Sequence, residues 1–130
     1  MIVLDASVAI EVLLRSPKGL EVRRRVTLEG KSLHAPHLID LEVAHVLSRL
    51  ERIGDLSVRR SGGVLADLAD LRIYRYPHDL FLRRIWKLRK NLSAYDAAYV
   101  ALAETLEATL LTLDRRLANA PGHRAVVEVL

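Results

Sequence analysis

An α/β fold, with a mostly parallel central sheet covered by helices on both faces, is what this sequence predicts, and three features predict it. Short apolar runs, MIVL at residues 1–4 and TLLTL at 109–113, have the composition of strands buried on both sides. Longer stretches between them carry apolar residues at helical spacing. The two kinds of segment alternate along all 130 residues without a linker, a repeat or a low-complexity tract, so the whole chain serves one core.

Local signals set the order of the elements. Residues 1–4 form a first strand, ended by Asp5. Residues 7–14 and 17–29 read as helices, and Pro17 suits the first turn of the second because a missing N–H costs nothing there. Ser32 to Ala35 is a second short strand before Pro36. In HLIDLEVAHVLSRLER, residues 37–52, Ile39, Val43, Val46, Leu47 and Leu50 fall on one helical stripe. Residues 57–71 predict a further helix, in which Gly62 and Gly63 mark a local break. RIYRYP predicts a strand, 78–90 and 94–107 predict helices, TLLTLD a buried strand and AVVEVL a closing one. Sheets of this kind place their chemistry at the carboxyl ends of the strands.

Composition narrows the function. With 51% apolar and 28% charged residues the chain is globular. It has no cysteine, which excludes disulfides, thiolate metal sites and cysteine nucleophiles. Residues 1–15 do not read as a signal sequence, because Asp5 and Glu11 interrupt the apolar run and no basic segment precedes it. No other apolar run approaches the ~20 residues of a membrane helix, so the expectation is a cytoplasmic protein without a membrane partner. The balance of 20 Lys and Arg against 16 Asp and Glu, a net +4, favours an anionic partner.

Four acids stand in unusual places. Asp5 follows the first strand and Asp114 follows LLTL, so the two share one sheet edge and lie close together if their strands are neighbours. Each also suits a helix N-cap. Asp96 fits the acidic position of a capping box begun by Ser93, yet its helix, with Ala94, Tyr95, Ala97 to Ala101, Leu102 and Ala103, is apolar nearly all round. A carboxylate buried in such a helix needs a cation as partner. Glu42 and Asp40 sit on opposite shoulders of the stripe in 37–52, and periodicity does not choose between them. Clustered carboxylates without Cys or His are hard oxygen ligands, suited to Mg²⁺ or Mn²⁺, the usual apparatus for moving phosphoryl groups. In a basic protein that points to a nucleic acid backbone.

These residues carry a family likeness. IVLDASVAIEVLL, APHLIDLEVAHVLSRL, LSAYDAAYVALAE and TLLTLDRRLA occur in the order and spacing of the PIN-domain ribonucleases of the VapC toxin type, and the chain resembles them over essentially its whole length. The resemblance implies one PIN-like nuclease domain over residues 1–130. It implies four acids around one or two divalent metals, corresponding to Asp5, Glu42, Asp96 and Asp114, and so selects Glu42 over Asp40. Ser7 and Thr112 match hydroxyl residues that support the acids or contact substrate. Glu107 departs from the family, where a glycine often follows the long helix, and puts only a helix C-cap in doubt. The implied activity is endonucleolytic cleavage of single-stranded or looped RNA. The implied partners are a VapB-like antitoxin and a second copy of the chain, with helices 7–14, 17–29 and 37–52 as candidate contact surfaces.

Without the four acids, 20 basic residues face 12 acidic ones, a surplus able to hold RNA beside an acidic centre. Arg115 and Arg116 are the first candidates for RNA contact, followed by Arg83, Arg84, Lys87, Arg89 and Lys90. Two other classes compete. An aspartate-based phosphotransfer enzyme of the haloacid-dehalogenase or receiver type also uses acids at sheet ends, but here the first motif is Asp-Ala-Ser and no suitable late lysine follows. A non-catalytic PIN-fold binding module would keep the fold without needing all four acids. Weaker features suggest no site: His37 and His45 form no recognisable metal pair, His34, His78 and His123 are scattered, and Trp86 and Phe81 are expected to pack.

Overall fold

The computed structural model describes residues 1–130. The chain opens with β1 (Ile2–Leu4), α1 (Ala6–Leu14), α2 (Pro17–Leu28) and β2 (Leu33–Pro36). It continues through α3 (Leu38–Arg52), α4 (Val58–Asp70) and β3 (Ile73–Tyr76). A 3₁₀ turn at His78–Phe81 leads into α5 (Leu82–Lys87), followed by α6 (Ala94–Leu106), β4 (Thr109–Thr112), α7 (Arg115–Asn119) and β5 (Val127–Val129).

The strands form one sheet in the order β3-β2-β1-β4-β5, and every pairing is parallel, so the sheet is wholly and not mostly parallel. Successive strand residues face opposite sides, and all of β1 and β2 is buried, so helices cover both faces there. β5 is an edge strand and only half-buried. After β1 the chain moves outward through β2 to β3, then crosses back to place β4 on the other side of β1. The point where the winding reverses therefore lies between β1 and β4, and the crevice at their carboxyl ends is where such sheets bind ligands.

One apolar core joins the sheet to α1, α3, α4, α5 and α6. α2 crosses α1 at Gly19, where a Cβ would fall 1.9 Å from the carbonyl oxygen of Glu11, so only glycine permits that approach. Three expectations change. Gly62 and Gly63 do not break α4: the helix runs through them because Ser61, Val64 and Leu68 anchor its other face, and tertiary packing outweighs the weak helix propensity of glycine. Residues 78–90 are not one helix, since Arg89 and Asn91 donate to Trp86 and Leu88 three residues back and tighten the segment into turns. The helix at 7–14 offers no exposed apolar surface to a second copy, because α1 buries Val8, Ala9, Ile10, Val12 and Leu13 within the chain. Leu20 and Leu28 on α2, and Leu41 on α3, remain exposed.

Candidate active site

Asp5 is the best-anchored acid of the site. It begins α1 as its N-cap, accepting from the backbone N–H of Val8 at 3.1 Å. The Ser7 hydroxyl donates to one carboxylate oxygen at 2.5 Å and the Thr112 hydroxyl to the other at 2.5 Å. Each hydroxyl then accepts from the backbone at the end of β4: Leu113 N–H donates across to Ser7 at 3.1 Å, and Asp114 N–H donates to Thr112, two residues earlier in its own segment, at 3.0 Å. The β1–β4 register produces this, pairing Leu4 with Leu111 and bringing residues 5 and 112 together. Ser7 and Thr112 thus touch Asp5 directly, and the capping reading of Asp5 holds alongside its place in the site.

The other three acids arrive from α3, α6 and the start of α7. Glu42 accepts from the Tyr99 hydroxyl at 2.6 Å. Burial raises the Glu42 carboxyl above its ordinary range, the Tyr99 hydrogen bond lowers it, and the charges of Asp5 and Asp96 raise it further. Asp96 sits in the first turn of α6, where its N–H donates to the N-cap hydroxyl of Ser93 at 3.1 Å. The helix is less enclosed here than its composition suggests: Ala94 and Tyr95 are exposed and Asp96 is half-buried, while Ala97 to Ala103 are buried. Burial raises the Asp96 carboxyl and the charges of Asp114 and Asp5 add to this, against Ser93 and Arg116. Asp114 caps α7 through Arg116 N–H at 2.9 Å and pairs with the Arg116 guanidinium at 3.3 Å, which holds its carboxyl below the ordinary range.

All four acids line one cleft of about 640 Å³, with Ser7, Leu38, Leu41, His45, Tyr95 and Tyr99 among its walls. Asp40 is elsewhere, paired with Arg75 at 2.8 Å. The donor set is wholly carboxylate, which fits Mg²⁺ or Mn²⁺. As they stand, no three Asp, Glu or His side chains form a group that could close around an ion. An open arrangement suits Mg²⁺, which keeps several waters and takes only one or two carboxylates directly.

Of the basic candidates, Arg116 is 92% exposed beside Asp114 and Arg115 is exposed next to it. Arg84 is withdrawn from that role, because it pairs at 2.8 Å with Glu104, whose side chain is only 4% exposed. Trp86 does not pack: it is 67% exposed and carries the Arg89 guanidinium 4.5 Å above its ring, whereas Phe81 is buried. Sequence reasoning missed Tyr99, counted only as apolar. The available signal was that a buried tyrosine needs an acceptor, and Glu42 is the acid its hydroxyl meets. It also missed His45, one turn beyond Glu42 on the same cleft wall.

Comparison with known proteins gives a consistent match. Residues 2–122 match the PIN domain family model. Ribonuclease VapC9 of Mycobacterium tuberculosis is 43% identical over 122 residues, 92% of this chain and 90% of that protein. Ribonuclease VapC12 of the same organism is 39% identical over 130 residues, 100% of this chain and 99% of its own length. Among solved structures, VapBC2 from Rickettsia felis bound to a DNA fragment from its promoter superposes with a TM-score of 0.71. That match is 13% identical, covers 99% of this chain and 98% of that one, and shows likeness of fold.

Proposed function

The chain belongs to the PIN-domain family, and from that premise we propose that residues 1–130 form one nuclease domain, an endoribonuclease that acts as the toxin of a toxin–antitoxin pair. The observation that carries this reading is the meeting of Asp5, Glu42, Asp96 and Asp114 in one cleft at the β1–β4 switch point, in a chain whose relatives are VapC ribonucleases. The four acids would hold Mg²⁺ or Mn²⁺. Such an ion supplies an activated water and neutralises charge building on the phosphate.

The chain's own residues do the rest. Ser7, Thr112 and Val8 N–H fix the orientation of Asp5, and Tyr99 fixes Glu42, so both carboxylates face the cleft already aligned. Arg116 and Arg115 offset the repulsion between this acidic centre and a polyanion. The partner is a VapB-like antitoxin, in keeping with structural neighbours that are VapBC complexes. A second copy would dock on the exposed leucines of α2, Leu20 and Leu28. No helix is long and apolar enough to cross a membrane, and the cytoplasm is the compartment this reading assigns.

The test is cleavage of single-stranded and hairpin RNA by the purified chain with Mg²⁺, with Mn²⁺ and with chelator. Internal cuts that need the cation are expected, together with growth arrest on expression that is relieved by co-expressing the antitoxin. Cleavage indifferent to chelator would overturn the metal assignment, and no cleavage of any RNA would overturn the enzyme.

A further inference from the structure

Tyr95 is an anomaly in its helix. α6 buries every residue from Ala97 to Ala103, yet the side chain immediately before Asp96 is a tyrosine left 66% exposed, with no hydrogen bond from its hydroxyl to the rest of the chain. It lies on one wall of the 640 Å³ cleft. Leu41, 76% exposed, Leu38, Val46 and His45 belong to α3 on the same cleft, and the acids complete it. A large aromatic ring and a wide-open leucine next to four carboxylates are costly to leave in water, and the core does not use them.

The acids are also shared with a second cleft. Asp96 and Asp114 line the large apolar cleft and a smaller polar one of about 260 Å³, where Asn91, Ser93 and Arg116 complete the wall. A strand laid across the Asp96–Asp114 ridge would therefore meet two unlike environments. Beyond the ridge on the Arg116 side, a phosphate finds a cation. On the Tyr95 side the wall carries the uncharged side chains of Tyr95, Leu38, Leu41 and Val46, so a flat, uncharged group gains most by entering.

We propose that the Tyr95 side of the cleft is a nucleobase slot, in which an unpaired base of the RNA strand stacks on the Tyr95 ring next to the scissile phosphate while the adjoining phosphate lies against Arg116. This rests on the ribonuclease reading and gives it a substrate requirement: the base beside the cut must be free to leave a duplex, because a paired base is not available to stack. Stacking accepts any base, so the slot selects unpaired RNA without selecting sequence.

Binding separates this from the nuclease reading. The probes are a fluorescent mixed-sequence RNA octamer and an abasic ribose-phosphate octamer of equal charge, titrated in chelator so that nothing is cut. The parent should bind the RNA about tenfold or more tightly than the abasic strand, from the loss of one aromatic stack. Tyr95→Ala should bind both strands equally weakly, and Tyr95→Phe and Tyr95→Trp should restore the difference. Because position 95 is exposed and in a first helical turn, alanine there should leave the melting temperature unchanged. If the parent binds and cleaves RNA but Tyr95→Ala keeps the full preference for bases, the slot is overturned while the nuclease stands. If Tyr95→Ala leaves RNA binding intact and loses only its antitoxin, the slot belongs to a peptide and the proposal fails. If the parent neither binds nor cuts RNA, both readings fall.

Discussion

The hydroxyl of Tyr99 donates to the carboxylate of Glu42 at 2.6 Å, joining α6 to α3 across the cleft. Tyr99 is 2% exposed, and burial together with the neighbouring charge of Glu42 keeps its phenol protonated far above neutral pH, so the donor is permanent. Tyr99→Phe keeps the ring and removes only this bond. Activity should fall by about 10- to 100-fold, the range seen when a group orienting a metal ligand is lost, with the fold retained. Kinetics at increasing Mg²⁺ check this: partial recovery at high cation would show that Glu42 has lost alignment, and unchanged activity at low cation would refute it.

Asp96→Asn isolates charge from shape. The Ser93 cap depends on the backbone N–H of residue 96 and survives the substitution. Ribonuclease activity should nevertheless drop by more than the about 100-fold attributed to orienting groups, since a hard cation needs the carboxylate. Cleavage assays paired with metal-free melting decide the matter, and parental activity in the variant would remove Asp96 from the ligand set.

The metal-free protein should gain stability as pH falls from neutral towards the ordinary carboxylate range. Glu42 and Asp96 have raised carboxyls in the folded state, so their contribution is fully present below the unfolded values of about 4 and is lost as pH rises through the folded ones. Asp114 works oppositely, since its lowered carboxyl stabilises above that range and ceases to below it. A melting temperature in chelator that rises as pH falls from neutral towards the ordinary carboxylate range of about 4, and rises less in Glu42→Gln, is the expected pattern. A flat profile shared by parent and variant would contradict it.

Glu107 occupies the left-handed region at φ 51°, closing α6 by donating its N–H to Ala103 and Glu104. A side chain there costs about 1 kcal/mol or more, which glycine avoids. Glu107→Gly should raise the melting temperature by about 3 °C once the extra freedom of the unfolded chain is deducted, with no change in cleavage. A lowered melting temperature would mean that the glutamate makes a contact worth more than its strain.

The sequence made the sheet legible because its inner strands are nearly all apolar, and the helix at 37–52 legible because its stripe is complete. It overstated the enclosure of α6: composition averages over a helix, whereas burial depends on where the first turn emerges, and Ala94 and Tyr95 emerge. Gly62 and Gly63 misled because propensity is local and the packing of Val64 and Leu68 is not. Asp5 and Asp114 could be placed at one sheet edge from strand position alone. The choice of Glu42 over Asp40 could not be made from periodicity, because it depends on Arg75 and Tyr99, far away in the chain. The hydroxyl bridge from Thr112 to Asp5 depends on register, so periodicity did not show it and only the family resemblance marked Thr112 as a residue that supports the acids or contacts substrate.

That bridge joins residues 107 positions apart, and the strand that carries Thr112 is also the second neighbour of the central strand. During synthesis, β1 leaves the ribosome before β4 and waits for it. At about 5–20 residues per second that interval lasts roughly 5 to 20 seconds, in which Asp5 lacks its Thr112 donor and Asp114 has not been made. No nascent fragment ending before β4 can carry the assembled site. A cell making this chain meets the complete acidic site only after β4 and Asp114 have been made, and a ribosome that stalls before them leaves a fragment without it.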